Sequence, residues 1–131
     1  MIKIIEIKKW MKRKIITANK DESVVKASKI MSKNNVGSLV VVDKKKPIGI
    51  ITETDILKRV VAKNLNLLKT KVKDVMTKKL ITVPSNYTFM KISRKMGKNK
   101  IKHIVIKEKG KMVGIITSTD IIKLMSGYKK R

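Results

Sequence analysis

The chain has 131 residues and no cysteine, which suits one compact domain and excludes a disulfide framework or a thiolate metal site. It carries 34 Lys and Arg against 9 Asp and Glu, a formal net charge of +25. No apolar run is long enough to span a bilayer, and the first residues mix charges into their apolar stretch, unlike a signal peptide. These features predict a cytoplasmic protein without a membrane segment.

The strong positive charge has two interpretations that the sequence leaves open. One is a bias towards Lys, Ile and Asn in a salty cytoplasm. The other is a polyanionic partner, most commonly nucleic acid. Aromatic residues are few and scattered, so a nucleic acid would be held through its phosphates rather than by base stacking.

Residues 1–10 alternate apolar and basic side chains and predict a short lead-in that packs Trp10 on the core, helical near Met11. The apolar patterns that follow predict, in order, a strand at 14–17, a helix capped by Asp21, a buried strand at 37–42, a basic turn at 43–47, a strand at 48–52 and a helix opened by Thr52. That last helix is expected to bury Ile56, Leu57, Val60 and Val61 and to direct Lys58, Arg59 and Lys63 outward.

The same order of elements returns in the second half of the chain. It comprises strands at 80–83, 104–107 and 112–117, helices at 87–98 and 118–125, a turn at 108–111 and a basic tail at 127–131. Residues 64–72 lie between the halves and contain neither Gly nor Pro, which predicts a packed connector rather than a flexible tether.

A seven-residue stretch organises both halves. Gly49-Ile50-Ile51-Thr52-Glu53-Thr54-Asp55 returns 65 residues later as Gly114-Ile115-Ile116-Thr117-Ser118-Thr119-Asp120. At the same offset, 20 of the 49 positions from Met11 to Arg59 are identical in the range from Met76 to Leu124. The chain is therefore two copies of one β-α-β-β-α unit, an α/β (α+β) fold with repeats at 8–63 and 73–126. We expect the two sheets to stack about a pseudo-two-fold axis that leaves two equivalent clefts.

The repeated Thr-x-x-Asp has a structural and a functional interpretation. It matches a capping box, in which the Thr hydroxyl and the acid satisfy free amides at a helix N-terminus. The same place suits a ligand, because free amides and the positive end of the helix dipole attract a phosphate, while an aspartate can accept from both hydroxyls of a ribose. The functional interpretation predicts a nucleoside or nucleotide.

The sequence offers no catalytic constellation. His103 is the only histidine and the chain has no cysteine, so it offers too few nitrogen and sulfur ligands for a transition-metal site. The serines have no base with an orienting partner, and Asp55 and Asp120 have no partner acid. We predict no enzyme and no metal site.

The block Gly-Ile-Ile-Thr-x-Thr-Asp-Ile, the lead-in Lys73-Asp74-Val75-Met76-Thr77 and the β-α-β-β-α order resemble paired CBS domains, also called a Bateman module, over about residues 8–126. The resemblance implies a regulatory pair that dimerises and binds AMP, ADP, ATP or an S-adenosylmethionine-type ligand in its clefts. It implies ribose-binding acids at Asp55 and Asp120 and phosphate-binding hydroxyls at Thr52 and Thr117. The contacts it implies to the rest of the ligand fall at Thr17, Val36, Gly37 and Ser38 in one copy and at Thr82, Ile101, Lys102 and His103 in the other.

Two departures from the family pattern change what is expected of the clefts. Thr54 and Thr119 stand where many members have a phosphate-binding arginine, and Val40 and Val105 replace a common proline. Only one copy has a basic pair, Lys102 and His103, that could compensate. The resemblance thus implies two unequal sites, the one with the basic pair being better for charged nucleotides. The expected protein is a nucleotide-sensing module that signals to an unknown partner protein in trans, with nucleic-acid binding through the basic surface as the alternative.

Overall fold

A computed structural model describes residues 7–127, so the predicted tail beyond Gly127 and the apolar residues before Ile7 lie outside the described residues. The backbone divides into two compact units. The first unit comprises residues 16–80, and the second comprises residues 81–127 together with 7–15. The first residues of each sequence repeat, 8–15 and 73–80, therefore belong to the unit built from the other repeat.

The first unit has the predicted β-α-β-β-α order. Its elements are β1 (Thr17–Asn19), α1 (Val24–Asn34), β2 (Ser38–Asp43), β3 (Lys46–Thr52), α2 (Glu53–Ile56), a π-helical segment (Leu57–Val61) and α3 (Val72–Val75). The second unit begins with a short 3-10 helix (Ile7–Lys9) and repeats the order as β4 (Thr82–Pro84), α4 (Phe89–Asn99), β5 (His103–Glu108), β6 (Lys111–Thr117) and α5 (Ser118–Met125).

Each unit contains one three-stranded sheet with the same topology. β2 is central, parallel to β1 and antiparallel to β3, and β5 is placed likewise between β4 and β6. Residues Ser38–Val41 of the central strand are buried, as their unbroken apolar run predicts for a strand covered on both faces. The predicted mixed α and β fold is confirmed.

Two apolar clusters stabilise the units. Both combine the inner face of the first helix, the central strand and the strand after it. The cluster of the first unit includes Val24, Ala27, Met31, Leu39, Val41 and Ile51, and that of the second includes Phe89, Ile92, Met96, Ile104, Ile106 and Ile116. Trp10 packs against the second cluster, as the lead-in pattern predicts.

An incoming segment docks on the outer strand of each sheet. Thr77 exchanges two backbone hydrogen bonds with Ile50 on β3, at 2.8 and 2.9 Å, and Lys12 does the same with Ile115 on β6, also at 2.8 and 2.9 Å. Ion pairs from equivalent lysines to non-equivalent acids hold both segments, from Lys73 to Asp21 at 3.2 Å and from Lys8 to Glu108 at 2.8 Å. Hydrogen bonding to these lysines keeps the pKa of Asp21 and that of Glu108 below their ordinary values.

Several predicted boundaries are wrong by a few residues. The first strand of each copy begins at Thr17 and Thr82, later than predicted, because its position is set by pairing with the central strand rather than by local propensity. The N-cap of α1 is Ser23, whose hydroxyl accepts from the Lys26 amide at 3.1 Å. Asp21 instead donates its amide to the Asn19 side chain in the preceding turn, at 3.0 Å.

Two predictions of burial are wrong. Leu57 and Val61 are 60% and 55% exposed, since the helix after Asp55 widens into a π-helical segment that buries Val60 alone among its apolar residues. The connector is hydrogen-bonded to the start of α1, through the carbonyls of Leu67 and Thr70. Its leucines are nevertheless exposed, Leu68 at 73%, and only Val72 at its end is buried in the first cluster. The order of the connector therefore comes from backbone bonds and from Val72 rather than from packing of its leucines.

Candidate functional site

The Thr-x-x-Asp motif forms a complete capping box in both units. In the first unit the Asp55 amide donates to the Thr52 hydroxyl at 3.2 Å, and the Thr52 amide donates to Oδ2 of Asp55 at 3.0 Å. The corresponding distances between Asp120 and Thr117 are 3.3 and 2.9 Å. The structural interpretation of the motif is therefore confirmed, and each box fixes its aspartate through the Oδ2 oxygen.

Strand pairing brings the start of the central strand to the capping box. Ser38 pairs with Thr52, and His103 pairs with Thr117. The carbonyl of Gly37 accepts from the Glu53 amide at 3.0 Å, and the carbonyl of Lys102 accepts from the Ser118 amide at 2.9 Å. Residues about 15 positions apart in sequence thus meet at one end of each sheet, where the family resemblance places them.

The remaining predicted site residues lie around this end of the sheet. Thr17 and Thr82 pair with Val40 and Val105, two positions further along the central strand, which corresponds to about 7 Å at ~3.3 Å per residue. Val36 and Ile101 follow the first helix of each copy, and their amides donate to the carbonyls of Met31 and Met96, both at 3.0 Å.

The expectation of a free helix N-terminus for a phosphate is wrong in part. In α5 the first amide donates to the Lys102 carbonyl and the third donates to the Thr117 hydroxyl. The first and third amides of α2 have equivalent partners. Since two of the first three amides in each helix are already bonded, a phosphate would depend more on basic side chains than on the helix itself.

Asp55 is held by residues that the sequence interpretation missed. The Thr77 hydroxyl lies 3.0 Å from Oδ1 and 3.2 Å from Oδ2 of Asp55, and the Arg59 Nε lies 3.8 Å from Oδ1. Arg59 also donates through Nη1 to the carbonyls of Val75 and Met76, at 3.2 and 2.9 Å. Asp55 is 6% exposed, so its charge is buried with an ion-pair partner and hydrogen bonds on both oxygens.

Asp120 has a different environment in its own unit. The residues equivalent to Thr77 and Arg59 at the 65-residue offset are Lys12 and Leu124, and neither is a hydroxyl or guanidinium donor. The recorded donors to Asp120 are the amide and hydroxyl of Thr117, both to Oδ2, at 2.9 and 3.1 Å. Asp120 is partly exposed, and the neighbouring Lys102 is exposed.

A groove of about 560 Å³ opens in the first unit between α1 and the helix after β3. Met31, Val36, Ile56, Leu57 and Val61 supply its apolar lining, and Ser28, Ser32, Asn35, Gly37 and Glu53 supply the rest. Within residues 7–127, no group of three or more His, Cys, Asp or Glu side chains could hold a metal ion. No helix of that part of the chain is long and apolar enough to cross a membrane.

Comparison with protein families agrees with this architecture. The CBS domain family matches the chain twice, at residues 5–62 and 72–127. The chain therefore belongs to the CBS domain family, as a pair of CBS domains. Pairs of this family serve as regulatory modules, and that coarse function applies to this chain.

Solved structures show the same fold across the whole chain. A conserved uncharacterised protein from Pyrococcus horikoshii is 36% identical with a TM-score of 0.86, covering 100% of this chain and 97% of the other. The CBS domain pair of protein MJ0100, solved in complex with 5′-methylthioadenosine and S-adenosyl-L-methionine, is 33% identical with a TM-score of 0.85, covering 97% and 100%. A close structural relative thus binds adenosyl ligands.

Curated relatives are longer proteins. The CBS domain-containing protein CBSX3, mitochondrial, of Arabidopsis thaliana is 39% identical over 109 residues, 79% of this chain and 52% of that protein. The L-aspartate semialdehyde sulfurtransferase of Methanocaldococcus jannaschii is 34% identical over 125 residues, 94% of this chain but 24% of the enzyme. The chain spans from about a third to about three fifths of the first curated relatives it matches. CBS pairs therefore occur as parts of enzymes, and none of these comparisons supports nucleic-acid binding.

Proposed function

We propose that this CBS pair is a regulatory module that binds an adenosine-containing ligand, of the AMP, ADP, ATP or S-adenosylmethionine type, at the copy that carries Asp120. The observation that carries the proposal is the environment of Asp120. Its Oδ2 is fixed by the capping box, and among residues 7–15 and 81–127 no donor forms a hydrogen bond to Oδ1.

The geometry suits a ribose. A carboxylate oxygen held by the backbone cannot rotate away, so the second oxygen is pre-oriented towards a ligand. Hydrogen bonds from sugar hydroxyls to an ionised carboxylate are charge-assisted and about twice as strong as neutral ones. Thr82, Ile101, Lys102, His103 and Thr117 lie at the same end of the sheet and would contact the remainder of the ligand.

Lys102 supports a preference for charged ligands. It is exposed at the start of β5, and its carbonyl holds the first amide of α5. Because two of the first three amides of α5 are already bonded, a phosphate would need another positive group, and a lysine at this position would supply it. The corresponding residue of the first unit is Gly37, which carries no charge. This difference supports the expectation that the copy with Lys102 and His103 is the better site for nucleotides.

The test is isothermal titration with AMP, ATP and S-adenosylmethionine on protein freed of co-purified nucleotide and nucleic acid. Wild-type protein should bind at least one of them at micromolar concentration. Asp120→Ala should weaken that binding by about 10- to 150-fold, the range of 1.5–3 kcal/mol for hydrogen bonds to a charged group. Asp74→Ala is the matched control, since it removes an exposed carboxylate outside the site and should leave the affinity unchanged. Equal affinities of wild type and Asp120→Ala would assign Asp120 to helix capping alone.

We also propose that the module acts as a homodimer and signals to a partner protein in the cytoplasm. Large apolar side chains on helical segments of each unit support association, because Leu57, Val61, Ile122 and Met125 are all more than half exposed. Sedimentation of the wild type should give the mass of a dimer, and Leu57→Glu with Ile122→Glu should give that of a monomer. A wild-type mass of one chain at all concentrations would contradict this part of the proposal.

A further inference from the structure

We propose that Thr77 closes the Asp55 copy of the site to adenosyl ligands, so that each chain binds one ligand, at Asp120. This inference rests on the proposed function and names the residue that makes the two copies unequal. It is independent of Lys102 and His103, which distinguish the copies by phosphate binding. Thr77 distinguishes them at the ribose.

The Thr77 hydroxyl lies against both carboxylate oxygens of Asp55, 3.0 Å from Oδ1 and 3.2 Å from Oδ2. It has one proton, which the two oxygens share. Oδ2 also accepts from the Thr52 amide at 3.0 Å, and Oδ1 faces the Arg59 Nε at 3.8 Å, an ion-pair distance. Since Thr77 is this close to both oxygens of a buried carboxylate, a ribose diol would have to displace it before it could bind Asp55.

Burial of the Asp55 side chain also restricts the access of a ligand to its carboxylate. The Asp55 side chain is 8% exposed, whereas a ligand needs at least one carboxylate oxygen to be accessible. Thr77 is positioned firmly, because its amide and carbonyl pair with Ile50 at 2.8 and 2.9 Å. Arg59 fixes the preceding turn by donating to the carbonyls of Val75 and Met76. Because the backbone of this segment is hydrogen-bonded at several points, the Thr77 hydroxyl could leave Asp55 only by rotation of its own side chain.

The second unit supplies the comparison within the same molecule. Lys12 exchanges the same two backbone hydrogen bonds with Ile115 that Thr77 exchanges with Ile50, at the same distances. The backbone is therefore placed alike in both units, and only the side chain differs. Lys12 is exposed, and within residues 7–127 its ammonium makes no hydrogen bond or ion pair to Asp120, whose carboxylate accepts from Thr117. The acceptors of Asp120 are therefore not taken from this position.

The experiment compares ligand stoichiometry in four variants by isothermal titration with AMP, ATP and S-adenosylmethionine. Thr77→Ala removes the hydroxyl that lies against both oxygens of Asp55. It should add a second equivalent of bound ligand, with affinity at Asp55 raised about tenfold or more. This second equivalent should persist in Thr77→Ala with Asp120→Ala and disappear in Thr77→Ala with Asp55→Ala. Thr77→Ser keeps the hydroxyl and should bind one equivalent, like the wild type.

The reciprocal variant places the closing hydroxyl in the other copy. Lys12→Thr should weaken the Asp120-dependent binding by about tenfold or more, whereas Lys12→Ala, which removes the same charge without adding a hydroxyl, should not reach that loss. Thermal unfolding of each variant shows that the protein tested is folded.

The outcomes separate this inference from the proposed function. Two equivalents bound by the wild type, or unchanged stoichiometry in Thr77→Ala, would overturn the closing role of Thr77 while leaving binding at Asp120 intact. Absence of any binding by the wild type would overturn the proposed function. In that case Thr77→Ala still tests this inference: binding that depends on Asp55 would support it, and no binding would overturn it.

Discussion

The two units place an aspartate at the same position of the same capping box, yet the two carboxylates have different surroundings. Asp55 is buried, with the Thr77 hydroxyl on both oxygens and Arg59 near one of them. Asp120 is partly exposed, and its recorded partners within its unit belong to its own capping box. The repeated motif fixes where the aspartate lies, and residues outside the motif determine which side chains surround its carboxylate.

Those outside residues arrive on the segments that dock beside each sheet. Both segments follow the same path, pairing with Ile50 in one unit and Ile115 in the other. A threonine in one segment and a lysine in the other give the two copies different chemistry without changing the backbone. Under the proposed function, divergence at one position of a docked segment separates a ligand site from a structural copy of it.

The docked segments also explain why both copies keep a glycine before the motif. A Cβ atom at Gly49 would lie 2.6 Å from the Thr77 carbonyl oxygen, which is backbone and is itself hydrogen-bonded. A Cβ atom at Gly114 would lie 2.5 Å from the Met11 Sδ and 3.0 Å from the Lys12 carbonyl oxygen. The first obstacle cannot rotate away, whereas the methionine side chain can.

Gly49→Ala should therefore be the more damaging of two matched substitutions. We expect it to lower the free energy of unfolding by about 2–3 kcal/mol, and Gly114→Ala by about 1 kcal/mol, within the range for overpacking. Urea denaturation of both variants and the wild type measures the difference. Equal losses would mean that the two segments are held alike, and that the contrast between the units is confined to the carboxylates.

Gly97→Ala is the control for the substitution itself. Gly97 lies within α4, and a Cβ atom there would meet nothing within 4 Å. Because alanine is favoured over glycine inside a helix by about 0.5–1 kcal/mol, this variant should be as stable as the wild type or more so.

Much of the fold follows from local patterns in the sequence. The 65-residue repeat predicts two equivalent units, and the apolar run at 37–42 predicts the buried central strand that the structure contains. The predicted helix at 118–125 is α5 without any shift of its ends. The capping boxes could be predicted because their partners are three residues apart, a distance over which helix geometry alone fixes the contact.

The chemistry around Asp55 could not be predicted in the same way. Thr77 lies 22 residues from Asp55 in sequence and reaches it only after the segment has docked on β3. The π-helical segment is likewise a tertiary result, since the equivalent α5 carries the same motif and remains α-helical. Lys12 and Thr77 are equivalent at the 65-residue offset, so the sequence shows that they differ. The effect of that difference on Asp55 depends on a tertiary contact that the repeat pattern does not predict.

The hairpin turns give the smallest expected difference between the units. Both are two-residue turns with positive φ, Lys44 and Lys45 at 50° and 66° in the first unit, and Lys109 and Gly110 at 49° and 75° in the second. Lys45 adopts the left-handed conformation that glycine adopts without steric cost at the equivalent Gly110. Lys45→Gly should therefore raise the free energy of unfolding by about 0.5–1 kcal/mol, the steric relief exceeding the entropy that glycine adds to the unfolded chain.

The reciprocal change, Gly110→Lys, should lower stability by a similar amount, since the same strain is introduced into the other turn. Lys46→Gly separates the effect of charge from that of conformation. It removes the same positive charge one residue later, at the start of β3, where glycine weakens a strand. Stabilisation by Lys46→Gly equal to that by Lys45→Gly would show that relief of charge repulsion in a chain of net charge +25, rather than backbone strain, distinguishes the two turns.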